Sequence, residues 1–162
     1  MNPPQDDLFV LFDDYLTDLQ EGDIVVVTSK VVSIHLSLCH EGKPADMHAL
    51  TKSEADFYMP KNGDAGTTYP LTIKHNALLY RAGIDKSNSG DYYTTLPADP
   101  YLEAEKLLSY LKGKYNIKNL GLIITDSTVS PFKKGVLSLA IGCAGFVPVS
   151  YTHLRAHETR PY

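Results

Sequence analysis

Tryptophan is absent from this 162-residue chain, and cysteine occurs only twice, at Cys39 and Cys143. Two cysteines so far apart, without a C-x-x-C spacing, argue against a disulfide-stapled scaffold and a thiolate metal site. They read as reduced, buried thiols in a reducing compartment. Long apolar runs are missing too: none approaches the ~20 residues that span a bilayer, so no membrane association is expected. The opening residues, 1–7, carry no positive charge leading into an apolar stretch, so no secretory signal is expected and the cytoplasm is the expected location. Basic blocks are also lacking. Net charge is −4, and the nearest approach to a patch is the sparse set Lys112, Lys114, Lys133 and Lys134. A protein that neutralises nucleic-acid phosphates needs a denser footprint, so nucleic acid is not an expected partner.

What is present is the make-up of an ordinary globular domain, 43% hydrophobic and 21% charged, long enough for one core. Leu8, Leu11, Phe12, Tyr15, Leu16 and Leu19 recur at helical spacing and predict a helix over 7–19, with Asp6 or Asp7 as its cap. The β-branched run at 24–28 predicts a buried strand, after which Ser29 offers a cap to a helical turn through Ser33. Residues 45–58 predict a further helix and 60–66 a loop. Residues 71–73 and 77–80 predict a hairpin across Lys74, His75 and Asn76, and 92–96 another strand. Asp99-Pro100 signals a helix start, continued by Ala104, Leu107, Leu108, Leu111 and Tyr115. Residues 120–125 and 136–141 read as buried strands. Helices and strands interleave without a regular β-α repeat, so the expected class is α+β, a mixed sheet with flanking helices.

Two loops carry candidate chemistry. One is 82–88, directly after a predicted strand; the other is 125–127, at the end of a strongly apolar one. Carboxylates at strand ends sit at the rim of a sheet, where open sheets bind ligands. Asp85 and Asp126, with Asn88 and Ser127 beside them, are hard oxygen donors suited to Mg²⁺ or Mn²⁺ and nucleotide phosphates. The same residue types also serve as turn-formers and caps, and spacing alone does not choose between the two roles. The strand-to-helix junction at 28–29 exposes backbone amides of the kind that hold anions. His35, Cys39 and His40 match no familiar metal spacing. His75 falls in the predicted hairpin turn. Tyr92, Tyr93, Tyr101, Tyr110 and Tyr115 read as core edge or dimer surface rather than a stacking platform.

Several motifs in one order add a different kind of information. Ala82-Gly83-Ile84-Asp85-x-Ser87-Asn88, Leu96-Pro97-x-Asp99-Pro100, Ile123-Ile124-Thr125-Asp126-Ser127, then Gly135 and Ala140-Ile141-Gly142-x-Ala144-Gly145 resemble the coenzyme F420-0:L-glutamate ligase family. Thr28-Ser29-Lys30-Val31-Val32-Ser33 resembles its early nucleotide-side motif, and the likeness covers roughly 19–148. It is nearest to bacterial members described as folate-type gamma-glutamate ligases. The resemblance implies that Asp85 and Asp126 hold Mg²⁺ or Mn²⁺, with Ser127 where the family often has Thr. It implies Asn88 on the nucleotide, with Ser29, Lys30 and Ser33 near it. The implied reaction uses GTP to phosphorylate a substrate carboxylate, after which the amino group of L-glutamate displaces phosphate; the acceptor is coenzyme F420-0 or a folate-like carboxylate. A homodimer is implied at full length. Two departures stand out. After Ser33 the family has a basic or Gln residue and then Gly-Arg, where this chain runs Ile34-His35-Leu36-Ser37-Leu38. In the segment 129–134, Lys replaces a frequent Arg, keeping the charge but losing the bidentate fork.

Residues 149–162 lack periodicity and resemble the read-through translation of a sequencing adapter. The expectation is a truncated ligase domain at 1–148 followed by a non-native tail that packs against nothing. Further ligands would come from a missing second half, so the fragment is expected to be inactive alone. Two rival readings are a nucleotide- or metal-binding homologue without ligase activity, motivated by the altered 34–38 segment, and a non-enzymatic interaction module whose open strand edges pair with a partner.

Overall fold

The β-branched run at 24–28 forms strand β1 (Ile24–Thr28), which lies parallel to β7 (Gly121–Thr128) with Thr28 opposite Thr125. On the other side of β7, β8 (Leu137–Ala144) pairs antiparallel, so the sheet is mixed, in the order β1-β7-β8. The computed structural model describes residues 1–42, 46–60, 70–87, 89–129 and 134–147. β7 is the central strand, with Leu122 and Ile124 fully buried, as a near-continuous apolar run requires. Two smaller sheets complete the set: β2 (Cys39–Glu41) with β6 (Tyr92–Thr94), and the antiparallel β3 (Phe57–Met59), β4 (Leu71–Lys74) and β5 (Ala77–Tyr80). The class is α+β with a mixed sheet and helices, as the pattern predicts.

Helix α4 (Pro100–Tyr115) starts where Asp99-Pro100 places it. The Asp99 carboxylate accepts from the amides of Tyr101 and Leu102 at 3.1 and 3.0 Å, and Pro100 stands where no amide is needed. The helix closes on Asn116 in the left-handed region, φ 54. Ala104, Leu107, Leu108 and Leu111 are buried in the core that α4 shares with β7 and β8. Gly142 permits a close approach of β8 to the start of α4: a Cβ there would meet the Pro100 carbonyl oxygen at 2.4 Å.

Three expectations need correction. Helix α1 is Leu8–Tyr15, not 7–19. Asp7 does cap it, accepting from the Phe9 amide at 2.9 Å. Leu16 then leaves the helix, and its carbonyl accepts the Tyr115 hydroxyl; Thr17 and Asp18 are residue types that compete with helical bonding. Helix α3 is Asp46–Glu54, because residues 57–59 are drawn into pairing with β4. Helix α2 is Ser29–His35, with Thr28 rather than Ser29 at the cap position and no side-chain cap bond.

The altered segment after Ser33 still makes a tight helix end. Leu36 is the C-cap and Ser37 takes the left-handed position, φ 58, normally left to glycine. The Leu38 amide reaches the Ser33 carbonyl at 2.8 Å and the Ser37 amide that of Ile34 at 3.1 Å, the paired bonds of a Schellman closure. The soft-metal candidates are spread out. His35 Nδ1 accepts from the Leu8 amide at 3.2 Å, tying α1 to α2, whereas His40 meets the Thr95 hydroxyl at 3.3 Å. Both cysteines are free. Residues 61–66 of the expected loop and the tail at 149–162 lie outside the described residues.

The β4–β5 hairpin turns through His75 and Asn76, both left-handed at φ 52 and 58, the two-residue turn whose twist suits a hairpin. His75 also tucks inward, Nε2 lying 2.9 Å from the Pro97 carbonyl oxygen. Burial, helped by Lys74 next to it, holds the His75 imidazole below its ordinary value. A histidine whose folded value is depressed contributes stability that is whole above its unfolded value of about 6.5 and is lost as pH falls below it. Thermal melts between pH 7.5 and 5.5 are therefore expected to show a fall in Tm, smaller in His75→Asn, which keeps a residue tolerant of the left-handed turn. An identical pH response in the variant would remove His75 as its source.

Candidate functional site

The register of β1 against β7 builds the first half of the site. Thr28 faces Thr125, so the next residues along each strand, Ser29 and Asp126, come side by side at the same sheet end. The Ser29 hydroxyl donates to Asp126 Oδ1 at 2.8 Å. Just before Asp126 the β7–β8 register shifts by one: Ile124 pairs Gly142, but Thr125 pairs Ala140. Such a bulge bends a strand and re-aims the side chains beyond it.

The second half is the segment after β5. Arg81, Ala82 and Gly83 form a single 3₁₀ turn with φ values of 50, 54 and 76. A Cβ at Gly83 would meet Leu96 Cδ1 at 2.4 Å, so only glycine fits there. The buried Thr72 hydroxyl accepts the Ala82 amide at 2.8 Å and donates to the Leu79 carbonyl, locking the turn to the hairpin. Asp85 is then pinned by a reciprocal backbone pair with Thr94, at 3.1 and 2.8 Å.

Lys30, from the first turn of α2, closes the two halves. Its Nζ lies 2.6 Å from Asp85 Oδ2 and 2.7 Å from the Ser87 hydroxyl, and also donates to the Ser87 carbonyl. Asp85 Oδ1 accepts the Ser87 amide at 2.7 Å, and Oδ2 accepts the Ser87 hydroxyl at 2.8 Å. The result is a cleft of about 360 Å³ lined by Tyr80, Arg81, Gly83, Ile84, Asp85, Lys86, Ser87, Asp126 and Ser127.

The two carboxylates of this cleft titrate in opposite directions. At Asp85, burial pushes upward, but the bonds from Lys30 and Ser87 outweigh it and hold the carboxyl below its ordinary value. At Asp126, burial raises the value, and the negative charge of Asp85 adds to it; the bonds from Ser29 and Ser127 only partly oppose them. Asp85 already has its cation, whereas Asp126 is a carboxylate under pressure to find one.

Among the described residues no three His, Cys, Asp or Glu side chains gather as a ligand set. Two carboxylates with adjacent serine hydroxyls do suit an ion of the Mg²⁺ type, which takes one or two protein carboxylates and completes its shell with water and phosphate oxygens. Of the sequence-predicted residues, Asp85, Asp126 and Ser127 line the cleft, while Ser29 and Lys30 bond to its carboxylates. Ser33 does not reach it: 1% exposed, its hydroxyl lies 2.9 and 2.6 Å from the Ser29 and Thr95 carbonyl oxygens and ties α2 to the segment after β6. Asn88 lies outside the described residues, as do Lys133 and its neighbours in the 130–133 segment. Ser87 was missed as a site residue, although Asp-x-Ser is the signature of a side-chain-to-backbone turn. Tyr80 and Arg81 carried no sequence signal for this role.

A family model described as F420-0:Gamma-glutamyl ligase matches residues 54–158, reaching into the tail that sequence reading sets apart. The coenzyme F420:L-glutamate ligase of Methanothermobacter thermautotrophicus is 30% identical over 147 residues, covering 82% of this chain and 58% of the relative. That of Methanocaldococcus jannaschii is 36% identical over 148 residues, covering 80% and 57%. That of Methanopyrus kandleri is 31% identical over 162 aligned residues, covering 90% and 63%. The chain thus spans less than two thirds of the length of these curated relatives.

Proposed function

The chain belongs to the F420-0:gamma-glutamyl ligase family, and from that premise we propose a ligase that uses GTP and Mg²⁺ or Mn²⁺ to join L-glutamate to a carboxylate acceptor such as coenzyme F420-0 or a folate-like acid. The carrying observation is that Asp85 and Asp126, far apart in sequence, open on one cleft with Lys30 bonded to the first and Ser29 to the second. A divalent ion held there would supply positive charge against the negative charge that builds during phosphoryl transfer. Asp85, Asp126 and Ser127 are its proposed ligands. Lys30 is the proposed phosphate contact, a point charge already aimed at the cleft by Asp85 and Ser87. Ser29 orients Asp126, and Ser33 anchors the helix that presents both; Asn88 is proposed on the nucleotide.

The acceptor carboxylate takes the γ-phosphoryl group and releases the nucleoside diphosphate. The glutamate nitrogen then attacks the acyl carbon, loses a proton and expels phosphate. Both steps require that water be kept out. Because the chain spans less than two thirds of its relatives, turnover is proposed for a protein of their full length, and residues 1–148 are expected to bind nucleotide without turning over. A homodimer and a cytoplasmic setting belong to the same proposal; among the described residues no helix is long and apolar enough to cross a membrane.

Calorimetric titration of Mn²⁺–GTP, Mg²⁺–GTP and Mg²⁺–ATP into the chain, with glutamate-dependent phosphate release by a full-length protein, tests the reading. Binding that requires the divalent ion and release that requires both glutamate and acceptor are expected. Binding without glutamate-dependent release would instead favour the non-ligase homologue, for which the altered 34–38 segment speaks.

A further inference from the structure

The cleft that holds Asp85 and Asp126 is also lined by two residues to which the ligase reading gives no role, Tyr80 and Arg81, where β5 runs into the 3₁₀ turn. Arg81 opens that turn with φ 50, in the left-handed region. An L-residue is strained there, whereas glycine is not and asparagine is strained less. The fold holds it nonetheless. The Arg81 carbonyl accepts the Ile84 amide at 3.0 Å, and the Thr72 hydroxyl accepts the Ala82 amide at 2.8 Å. Strain maintained beside a cleft points to a use for the side chain presented there.

That side chain is a guanidinium, its central carbon 4.8 Å from the centroid of the Tyr80 ring. Stacking engages the flat face of the group, while its five N–H donors all point outward in its plane. The ring therefore steadies the plane of a fork whose spacing matches the two oxygens of a carboxylate. Two other cations stand at the cleft and are held differently. Lys30 is bonded to Asp85 and Ser87, and Lys86 lies over the Tyr93 ring, 5.0 Å from its centroid. Both are point charges, and of the three cations Arg81 alone is planar. With phosphate assigned to the divalent ion and Lys30, the carboxylates of acceptor and glutamate still need a group to recognise them.

We propose that Arg81, backed by the Tyr80 ring, is a specificity-determining residue that binds a substrate carboxylate, of the acceptor or of L-glutamate, on the hairpin side of the cleft. The inference rests on the ligase reading and deepens it, naming the residue that reads the carboxylate. A fork that bonds both carboxylate oxygens rejects an amide in the same place, because one of its N–H groups would then face an NH₂.

Steady-state kinetics of a full-length protein, with GTP, glutamate and acceptor varied in turn, test it through Arg81→Asn and Arg81→Lys. Asparagine tolerates the left-handed backbone, so Arg81→Asn is expected to melt no lower than the wild type. It should raise KM for glutamate or for the acceptor by about 30-fold, and leave KM for GTP within about twofold. Arg81→Lys keeps the charge without the fork and should recover only part of that loss. The substrate whose KM moves identifies the carboxylate. If it is glutamate, the wild type should reject either its α-amide or its γ-amide by about 30-fold, and Arg81→Asn should lose that discrimination. A residue that merely shaped the turn would leave it intact. Wild-type turnover with every KM unchanged in Arg81→Asn overturns this proposal alone. So does a Mn²⁺–GTP affinity of the 162-residue chain that falls about tenfold in Arg81→Asn, which would make Arg81 a phosphate contact. A wild type with neither metal-dependent GTP binding nor turnover strikes the ligase reading itself, and this inference with it.

Discussion

Asp126→Ala is expected to weaken binding of Mn²⁺–GTP by about a hundredfold, on the order of 3 kcal/mol, the scale of a lost charge-assisted contact. Asp126 faces the cleft with its carboxyl raised above the ordinary value by burial and by Asp85. It therefore costs the ligand-free fold stability at neutral pH, and that cost is repaid only when a cation arrives. The metal-free Tm of Asp126→Asn should accordingly equal or exceed that of the wild type, even as calorimetry records the lost affinity. This opposition separates a ligand from a structural residue: a carboxylate that merely held the fold would lower both.

Asp85→Ala should weaken Mn²⁺–GTP to a similar degree, by a second route. It removes a carboxylate and also frees Lys30, whose Nζ is held 2.6 Å from Asp85 Oδ2. Lys30→Met separates the two contributions. Loss of a neighbouring ammonium should tighten binding of Mn²⁺ alone several-fold, while loss of the phosphate contact weakens Mn²⁺–GTP. If calorimetry finds both affinities unchanged in Asp85→Ala and Asp126→Ala, the metal assignment fails, and the interaction-module reading gains.

The second large effect lies in packing. Gly142→Ala places a Cβ within 2.4 Å of the Pro100 carbonyl oxygen and 2.6 Å of its carbonyl carbon, both backbone atoms in the first turn of α4. Neither a rotamer nor a flexible tip can yield, so helix and strand must part. The expected cost is about 3 kcal/mol, at the upper end for overpacking, seen as a Tm lowered by roughly 6–12 °C. Gly113→Ala is the matching control. Nothing lies within 4 Å of a Cβ at Gly113, which sits inside α4, so the change should stabilise by ~0.5–1 kcal/mol. A Gly142→Ala protein as stable as the wild type would mean that α4 and β8 do not approach as described.

Local chemistry was legible where one or two neighbouring residues decide a conformation. Asp99-Pro100 announced α4 because a cap and a proline act within a single turn, and the β-branched run at 24–28 announced β1. Boundaries were lost where a distant group intervened. Tyr115 takes the Leu16 carbonyl and cuts α1 short, and β4 recruits residues 57–59 away from a helix. Ser37 in a position made for glycine was illegible for another reason: the paired bonds of Ser33 and Ile34 sustain a conformation its own preference disfavours.

The linear order of residues, by itself, determined most of the elements, the α+β class and the candidate oxygen donors, since caps, period and β-branching act within a few residues of each other. It did not show β2 or β3, and it put Asp126 in a loop, whereas β7 runs on through it to Thr128. Motif order was enough to point to the family. Only tertiary structure decided that Ser29 meets Asp126 and that Lys30 meets Asp85, because each pairing depends on strand register and on a turn of three left-handed residues. It alone turned Ser33 inward and brought Arg81 to the cleft of Asp85 and Asp126. A hydroxyl or a guanidinium does not encode which side it faces; its neighbours in the fold do.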